Sequence, residues 1–129
     1  MSTFPGTWLA EKLGIEAGSR VAFVNEPTVF REVLGELPPD VQIVDATEGR
    51  VDVILYFSTR HGDLDKRFAE LRELLSPSGY LWVAWPKKVP GIPAAVVEEE
   101  VREKGLAAGL VENKLRAIDD TWYGMRFVR

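Results

Sequence analysis

Apolar runs alternate along the chain with segments that are apolar on one side only. Residues 53–57 predict a buried strand, and residues 80–85 have the continuous apolar character of a strand that is covered on both faces. The segment between them has one apolar stripe at helical spacing, formed by Leu64, Phe68, Leu71 and Leu75. We therefore predict a helix over residues 63–75 that packs on the sheet.

The first third of the chain has the same alternation of elements. A short helix over residues 7–13 precedes a strand at residues 21–24. A second helical stripe follows, formed by Phe30, Val33, Leu34 and Leu37. We expect this helix to carry Pro27 in its first turn and to stop at residues 38–40, ahead of a shorter strand at residues 41–45.

The last third begins with a loop and ends with two strands. Residues 86–93 are rich in proline and predict a loop, and residues 94–108 predict a helix. Strands at residues 110–118 and 122–128 close the chain. The turn between them has only three residues, so the two strands are predicted to form an antiparallel hairpin.

Together these elements predict a three-layer α/β domain over residues 1–129. Its sheet has about six strands, which are mainly parallel, with an antiparallel strand at the C-terminal end. A length of 129 residues fits one domain with a single sizeable core. The balance of 46% apolar to 28% charged residues is that of an ordinary soluble globular protein.

Composition removes several classes of function. Zero cysteines exclude disulfides, thiolate nucleophiles and sulfur ligands for a metal, and we expect no metal site. A net charge of −4 argues against nucleic acid as the main partner. No apolar run approaches the ~20 residues of a membrane span. The first residues lack the basic start and apolar core of a signal peptide, so we expect a cytoplasmic protein.

Several short motifs resemble those of class I S-adenosylmethionine-dependent methyltransferases, whose sheet also ends in an antiparallel strand. They are the approach to the first strand (residues 14–21), Leu-Leu-Ser-Pro-Ser-Gly (residues 74–79) and Ala-Ala-Gly-Leu (residues 107–110). Trp-Pro-Lys-Lys at residues 85–88 and Asp-Asp-Thr-Trp-Tyr-Gly at residues 119–124 more closely resemble a bacterial domain family of unknown function. The resemblance implies a Rossmann-like fold with the strand order 2-1-4-5-7-6 in the methyltransferase strand names.

Two features depart from the methyltransferase pattern. Residues 25–27, Asn-Glu-Pro, stand where that family has a glycine-rich loop whose backbone approaches the cofactor. The link at residues 45–52 is too short for the family's third strand and the helix before it, so we expect the topology to lack one strand. Asp45 ends the second strand, where the resemblance implies a carboxylate that holds the cofactor ribose. The alternative for Asp45 is a local hydrogen bond in the turn.

Ligands of such a sheet bind outside the carboxyl ends of the strands, where the winding reverses. The candidate binding residues are Asn25, Glu26, Asp45, Ser58, Arg60, His61, Lys87, Lys88 and Trp122. The basic members of this set could form a mouth that attracts a carboxylate or phosphate, or they are simply solvated loop residues. His61 is the lone histidine and suits acid or base chemistry near neutral pH, but no sequence neighbour marks a catalytic triad.

Four other points bear on this edge. Glu26 could contact a cofactor or act as a base in an apolar cleft, or it lies at the positive start of the following helix. The aspartates at residues 119–120 could face a cation, but a turn explains them more simply. Trp82 and Trp85 are three residues apart and point to opposite sides of their strand. We expect one of them in the core, and Trp85 or Trp122 at the mouth of the site.

Three functions remain open. The first is a degenerate methyltransferase-like module, without competent cofactor binding, that binds a small anionic ligand or a protein partner. The second is a small methyltransferase that holds S-adenosylmethionine without glycines. The third is a dimerising scaffold. We expect no cofactor under the first hypothesis and S-adenosylmethionine under the second, and we expect a monomer or a homodimer without membrane or nucleic-acid partners.

Overall fold

The computed structural model describes residues 5–45, 49–58, 64–87 and 98–129. The helices in these ranges are α1 (Pro5–Leu13), α2 (Phe30–Leu34), α3 (Leu64–Leu74) and α4 (Glu98–Ala107). The strands are β1 (Arg20–Val24), β2 (Gln42–Ile43), β3 (Val51–Phe57), β4 (Leu75–Pro86), β5 (Val111–Ala117) and β6 (Trp122–Val128). Strands and helices therefore alternate as the sequence predicts.

The strands form one sheet in the order β2-β1-β3-β4-β6-β5. The first four strands in this order run parallel, whereas β6 lies antiparallel between β4 and β5. The predicted mainly parallel sheet, its strand order and the closing antiparallel hairpin are therefore confirmed. Among the described residues no strand pairs with the outer side of β2, in agreement with the predicted lack of one strand.

Apolar side chains cover both faces of the sheet. α1 and α2 pack on one face, the α1–α2 face, and α3 and α4 pack on the other, the α3–α4 face. In β3, Leu55 and Phe57 point toward α1 and α2, while Ile54 and Tyr56 point toward α3 and α4, because successive side chains alternate. All four are nearly or fully buried. Burial of each contributes about 1.5–3 kcal/mol, which explains why this apolar strand lies at the centre.

Trp82 and Trp85 lie on opposite faces of β4, as predicted, but both belong to the core. Trp82 is fully buried, and its indole Nε1–H donates to the carbonyl of Leu13, 2.8 Å away, at the end of α1. Trp85 is also buried, and its ring lies beside that of Tyr123 on the α3–α4 face. Trp85 therefore does not reach the mouth of a site, and Trp122 is the remaining candidate for that place.

α2 is shorter than the predicted helix and begins later. It starts at Phe30, whose N–H donates to the Pro27 carbonyl at 3.0 Å, so Pro27 precedes the helix rather than forming its first turn. It ends at Leu34 because Gly35 takes a φ of 70°, which a right-handed helix cannot continue through. Leu37 consequently lies beyond the helix, although it still packs against the core.

β2 is also shorter than the predicted strand at residues 41–45. The structure assigns two residues to it, although the Val44 N–H continues the pairing by donating to the Val21 carbonyl at 2.8 Å. Both residues of β2 are exposed at the side of the sheet, so little apolar burial holds a longer strand there. Residues 94–97 of the predicted fourth helix lie outside the described part of the chain.

β4 begins at Leu75, which the sequence pattern places in the preceding helix. Within the strand, residues 76–79 bulge out, because Leu75 pairs with Val51 and the next pair joins Tyr80 to Val53. The predicted turn at these residues is thus an irregularity inside a strand that keeps its partner. Among the described residues no helix is long and apolar enough to cross a membrane.

Candidate functional site

Four strands meet at one edge of the sheet, here called the carboxyl edge. β1, β3 and β4 end there, and β6 begins there because Pro86 pairs with Trp122. Asn25 directly follows β1, Ser58 follows β3 and Lys87 follows β4, so the fold brings these predicted site residues to one edge. Three further predicted residues lie outside the described part of the chain, namely Arg60, His61 and Lys88. The basic mouth that includes them stays a prediction.

The loop after β1 is held by its own side chains. Asn25 has a φ of 57°, in the left-handed region that favours glycine and tolerates asparagine. The Glu26 carboxylate accepts two hydrogen bonds from the Arg31 guanidinium, from Nη2 to Oε1 at 2.9 Å and from Nε to Oε2. The same guanidinium lies 4.6 Å from the centre of the Phe23 ring. Because α2 begins only at residue 30, Glu26 pairs with a side chain of that helix instead of lying at its first turn.

Lys87 and Trp122 are neighbours across the sheet but point to different faces. The Lys87 N–H donates to the Thr121 carbonyl at 2.8 Å. Its ammonium lies 5.1 Å from the centre of the Tyr123 ring, on the α3–α4 face. Trp122 packs against Phe57 on the α1–α2 face, with ring centroids 4.9 Å apart. The positive charge and the partly exposed indole are therefore separated by the sheet.

Ser58 and Asp45 complete the predicted residues that the structure describes. Ser58 is fully buried, and its N–H donates to a β4 carbonyl at 2.7 Å. Asp45 is exposed, two residues beyond the end of β2. Ile43 pairs with Val21. If this register continues beyond β2, Asp45 lies level with the residue two positions before Asn25, which is about 7 Å from Asn25 along the strand direction.

A row of four aromatic rings crosses the α1–α2 face toward the carboxyl edge. The successive centroid distances in this row are 5.5, 4.8 and 4.9 Å for Phe23, Phe30, Phe57 and Trp122, and each pair meets edge to face. Such contacts contribute about 0.5–1.5 kcal/mol each beyond the burial of area. They hold α2 on the sheet and fix the position of the Trp122 ring.

A cleft of about 290 Å³ opens above the end of the aromatic row. One wall consists of α2 and the residues just before it, and it is formed by Pro27, Val29, Phe30 and Val33; the other is the β5–β6 turn at residues 119–122. Val29 is 59% exposed and Val33 is 39% exposed, so both present apolar surface to solvent. This α2 cleft therefore has an apolar wall and an open entrance.

The β5–β6 turn brings two carboxylates to the α2 cleft. Asp119 Oδ1 accepts the N–H groups of Thr121 and Trp122, at 2.7 and 2.9 Å, which confirms its role in the turn. Asp120 is exposed and forms no hydrogen bond or ion pair with the described residues. One carboxylate thus builds the turn while the other faces solvent. In the described part of the chain no group of three or more acidic, histidine or cysteine side chains could hold a metal ion.

Sequence reasoning found the turn but missed the α2 wall of this cleft. The helical stripe predicts Val33 on the buried side, whereas the structure exposes it. The overlooked signal is Gly35, which ends the helix after five residues. In so short a helix, Phe30 and Leu34 form the buried pair four residues apart, and Val29 and Val33 form the neighbouring, outward pair.

A second cavity, also about 290 Å³, lies at the opposite edge of the sheet, where the parallel strands begin. Its polar lining includes Glu16, Ser19, Asp52 and Ser78. Asp52 accepts the Arg20 N–H at 2.8 Å through Oδ2 and the Ser76 hydroxyl at 3.1 Å through Oδ1. These bonds join the starts of β1 and β4 to β3, so this carboxylate has a structural role.

The chain belongs to the family described as "Protein of unknown function (DUF3052)", whose model matches residues 10–129. This confirms the resemblance to a domain family of unknown function. No curated protein matches the chain.

Solved structures of methyltransferases share the fold. A SAM-dependent methyltransferase from Aquifex aeolicus has a TM-score of 0.66 at 17% identity, over 96% of this chain and 89% of that one. A chain from the complex of a methyltransferase with the Haloferax volcanii Trm112 methyltransferase activator has a TM-score of 0.65 at 13% identity. The match covers 94% of this chain and 86% of that one. Aeropyrum pernix fibrillarin, solved with S-adenosyl-L-methionine, has a TM-score of 0.57 at 15% identity. The match covers 94% of this chain and 73% of that one. These likenesses confirm the Rossmann-like, methyltransferase-type fold.

Proposed function

We propose that this chain is a degenerate methyltransferase-like domain, which binds a ligand or a protein partner at the carboxyl edge and does not hold S-adenosylmethionine competently. The observation that carries the proposal is the structure of the loop after β1. A glycine-rich loop serves a cofactor because its backbone comes close to the ligand. Here Glu26 and Arg31 bind each other across the loop, and Pro27 has no N–H to donate.

The backbone donors that follow the loop support the same proposal. The N–H of Phe30 donates to the Pro27 carbonyl, and those of Glu32 and Val33 donate to the Val29 carbonyl. A ligand could use these three amides only by displacing those bonds. This reduces the number of amide donors that the start of α2 offers to an anion or a ribose.

The position of Asp45 gives a second line of support. A carboxylate that holds a cofactor ribose must share an opening with the loop after the first strand. The register of β1 and β2 leaves Asp45 about 7 Å short of that loop along the strand direction. This offset separates Asp45 from the loop along the strand direction, which argues against the ribose role that the family resemblance implies.

One observation favours the alternative, a small methyltransferase with an atypical loop. Asn25 adopts a φ of 57°, so the residue after β1 has the left-handed backbone that a glycine commonly supplies. A loop with this backbone could approach a cofactor at one position. The alternative therefore predicts that cofactor binding depends on Asn25.

Different observations support a small anionic ligand and a protein partner for the proposed module. Lys87 supports a small anionic ligand, because its ammonium lies at the edge on the α3–α4 face. A protein partner is supported by the likeness to a chain in complex with a methyltransferase activator. The α2 cleft, on the other face, has an acidic and apolar lining and supports an occupant of different chemistry.

Calorimetric titration of the full chain with S-adenosylmethionine and S-adenosylhomocysteine tests the proposal. We expect no heat beyond dilution, while fibrillarin from Aeropyrum pernix, titrated with the same solutions, confirms that the ligands are competent. Micromolar binding would overturn the proposal in favour of the methyltransferase. In that case Asn25→Ala should weaken binding, whereas Gly18→Ala, at another residue with positive φ, should not.

A further inference from the structure

We propose that the α2 cleft binds a compact organic cation, an amine with an aromatic or branched aliphatic body. The inference rests on the proposed function, because it gives the ligand class of one site on the proposed binding module. It differs from the anionic ligand expected from the sequence, which Lys87 supports on the other face of the sheet.

The apolar part of the ligand is specified by the α2 wall and the floor of the cleft. Val29 and Val33 present exposed aliphatic surface, and Trp122 is partly buried at the opposite wall. Covering such surface removes apolar area from water, which favours binding. A volume of about 290 Å³ lies at the lower end of the ~300–1,000 Å³ typical of small-molecule sites, so the ligand must be compact.

The sign of the ligand charge is specified by the β5–β6 turn. Asp120 lines the cleft with a carboxylate that binds none of the described residues, and Asp119 adds a second negative charge behind it. An indole is also the best aromatic surface for a cation, and Trp122 lines the same wall. An anionic ligand would meet two like charges here, which disfavours it.

Among the described residues, the cations near the cleft have other contacts. The guanidinium of Arg31 is bound to Glu26, and the ammonium of Lys87 lies over Tyr123 on the opposite face. Lys12 donates from Nζ to the Ala117 carbonyl at 3.1 Å, at the end of β5 before the turn. Among the described residues, the charged side chains that line the cleft are both acidic, and a ligand ammonium would complete an ion pair there.

The geometry also indicates that the site is formed before the ligand arrives. Phe30 and Trp122 both meet Phe57 edge to face, so the two walls are connected through a ring that is 1% exposed. A preformed cleft does not require ordering of its walls on binding, which lowers the cost of association.

The test uses small apolar probes that carry different charges, and binding is followed by NMR chemical shifts of the full chain. The two cationic probes are 2-phenylethylammonium and 3-methylbutylammonium, the neutral probe is 2-phenylethanol, and the anionic probe is 3-phenylpropionate. We expect saturable shifts of the Val29 and Val33 methyl groups and the Trp122 indole with the amines. The alcohol should bind about two- to fivefold more weakly than the aromatic amine, and the carboxylate should not shift these signals.

Matched variants assign the effect to the cleft. Asp120→Asn should weaken amine binding about two- to fivefold, while Glu36→Gln, which removes the same charge elsewhere on the exposed surface, should not. Val33→Lys should abolish binding, because it places a bulky cation in the wall. Val111→Lys, at an exposed valine of β5, is its control and should leave binding unchanged.

The inference would be overturned if neither amine produced saturable shifts at the α2 cleft, or if alcohol and amine bound equally in wild type and Asp120→Asn. Its failure is distinguishable from failure of the proposed function. Absence of both amine and S-adenosylmethionine binding would remove the inference and leave the proposal intact. Amine binding at the cleft together with micromolar S-adenosylmethionine binding would remove the proposal and leave the inference.

Discussion

Asn25→Ala tests the backbone of the loop after β1, on which the functional argument depends. A residue with a Cβ pays about 1–2 kcal/mol in the left-handed region, and asparagine lowers this cost through local hydrogen bonds of its side chain. Asn25 has a φ of 57° and is exposed, so alanine places a residue that tolerates this backbone less well, without removing packing. We therefore expect Asn25→Ala to lower the free energy of unfolding by about 1 kcal/mol. Asn25→Gly should change it by less than about 0.5 kcal/mol, because relief of strain opposes the greater chain entropy of glycine.

Two glycines calibrate this magnitude within the same protein. A Cβ built on Gly18 or Gly49 has no atom within 4 Å, so alanine meets open space at both positions. Gly18 has a φ of 80°, whereas Gly49 is not in the positive-φ region. Gly18→Ala should therefore destabilise the protein by about 1 kcal/mol, while Gly49→Ala should stabilise it by about 0.4–1 kcal/mol. The difference between the two measures the cost of left-handed backbone directly.

Urea unfolding followed by circular dichroism is the assay, with the slope against denaturant checked for constancy across the variants. The result that would refute the reasoning is an Asn25→Ala protein as stable as the wild type, alongside a destabilised Gly18→Ala protein. That outcome would show that Asn25 does not hold the left-handed conformation in solution. The single observation favouring the methyltransferase alternative would then be lost.

Two further predictions concern α4. Gly105→Ala places a Cβ within 2.5 Å of Phe127 Cζ, on a buried ring that Phe68 contacts edge to face. Overpacking should cost about 1–3 kcal/mol and outweigh the ~1 kcal/mol gain in helix propensity, so we expect urea unfolding to show a net loss of stability. Ala107→Gly reports helix propensity alone, and a net gain in stability for Gly105→Ala would contradict the prediction. The hydrogen bond from Lys104 Nζ to Asp65, 3.0 Å, raises the pKa of Lys104 above 10.5, so its stabilising contribution is present at neutral pH and is lost as the pH rises through the folded-state pKa. Asp65→Asn should lower that pKa in an NMR titration of the Lys104 Cε, and an unchanged titration would show that the pair does not form in solution.

The sequence predicts the parts of the fold that burial dictates. β3 and α3 are predicted well because their apolar positions repeat at the spacing of one element and are almost all buried. The length of α2 is not, because its apolar stripe continues to Leu37 while Gly35 already ends the helix. In that conflict the backbone conformation of one residue outweighs the periodicity of several.

The sequence predicts which residues lie at the carboxyl edge of the sheet, but it does not predict to which face of the sheet each side chain points. Parallel strands end together, so Asn25, Ser58 and Lys87 had to share the carboxyl edge. Which side each side chain takes depends on the pairing of β4 with β6, a contact between residues far apart in sequence. That register sends the Trp122 ring and the Lys87 ammonium to opposite faces.

The division of charge between the two faces bears on what the edge can recognise. A zwitterion such as the amino-acid end of S-adenosylmethionine carries an ammonium and a carboxylate a few bonds apart. Here Asp120, which binds none of the described residues, lines the α2 cleft on one face, and the Lys87 ammonium lies over Tyr123 on the other, with β6 between them. A small zwitterion cannot reach both, so either end would bind without a partner for the other. The same arrangement would suit two separate ligands of opposite charge, as the proposed binding module requires.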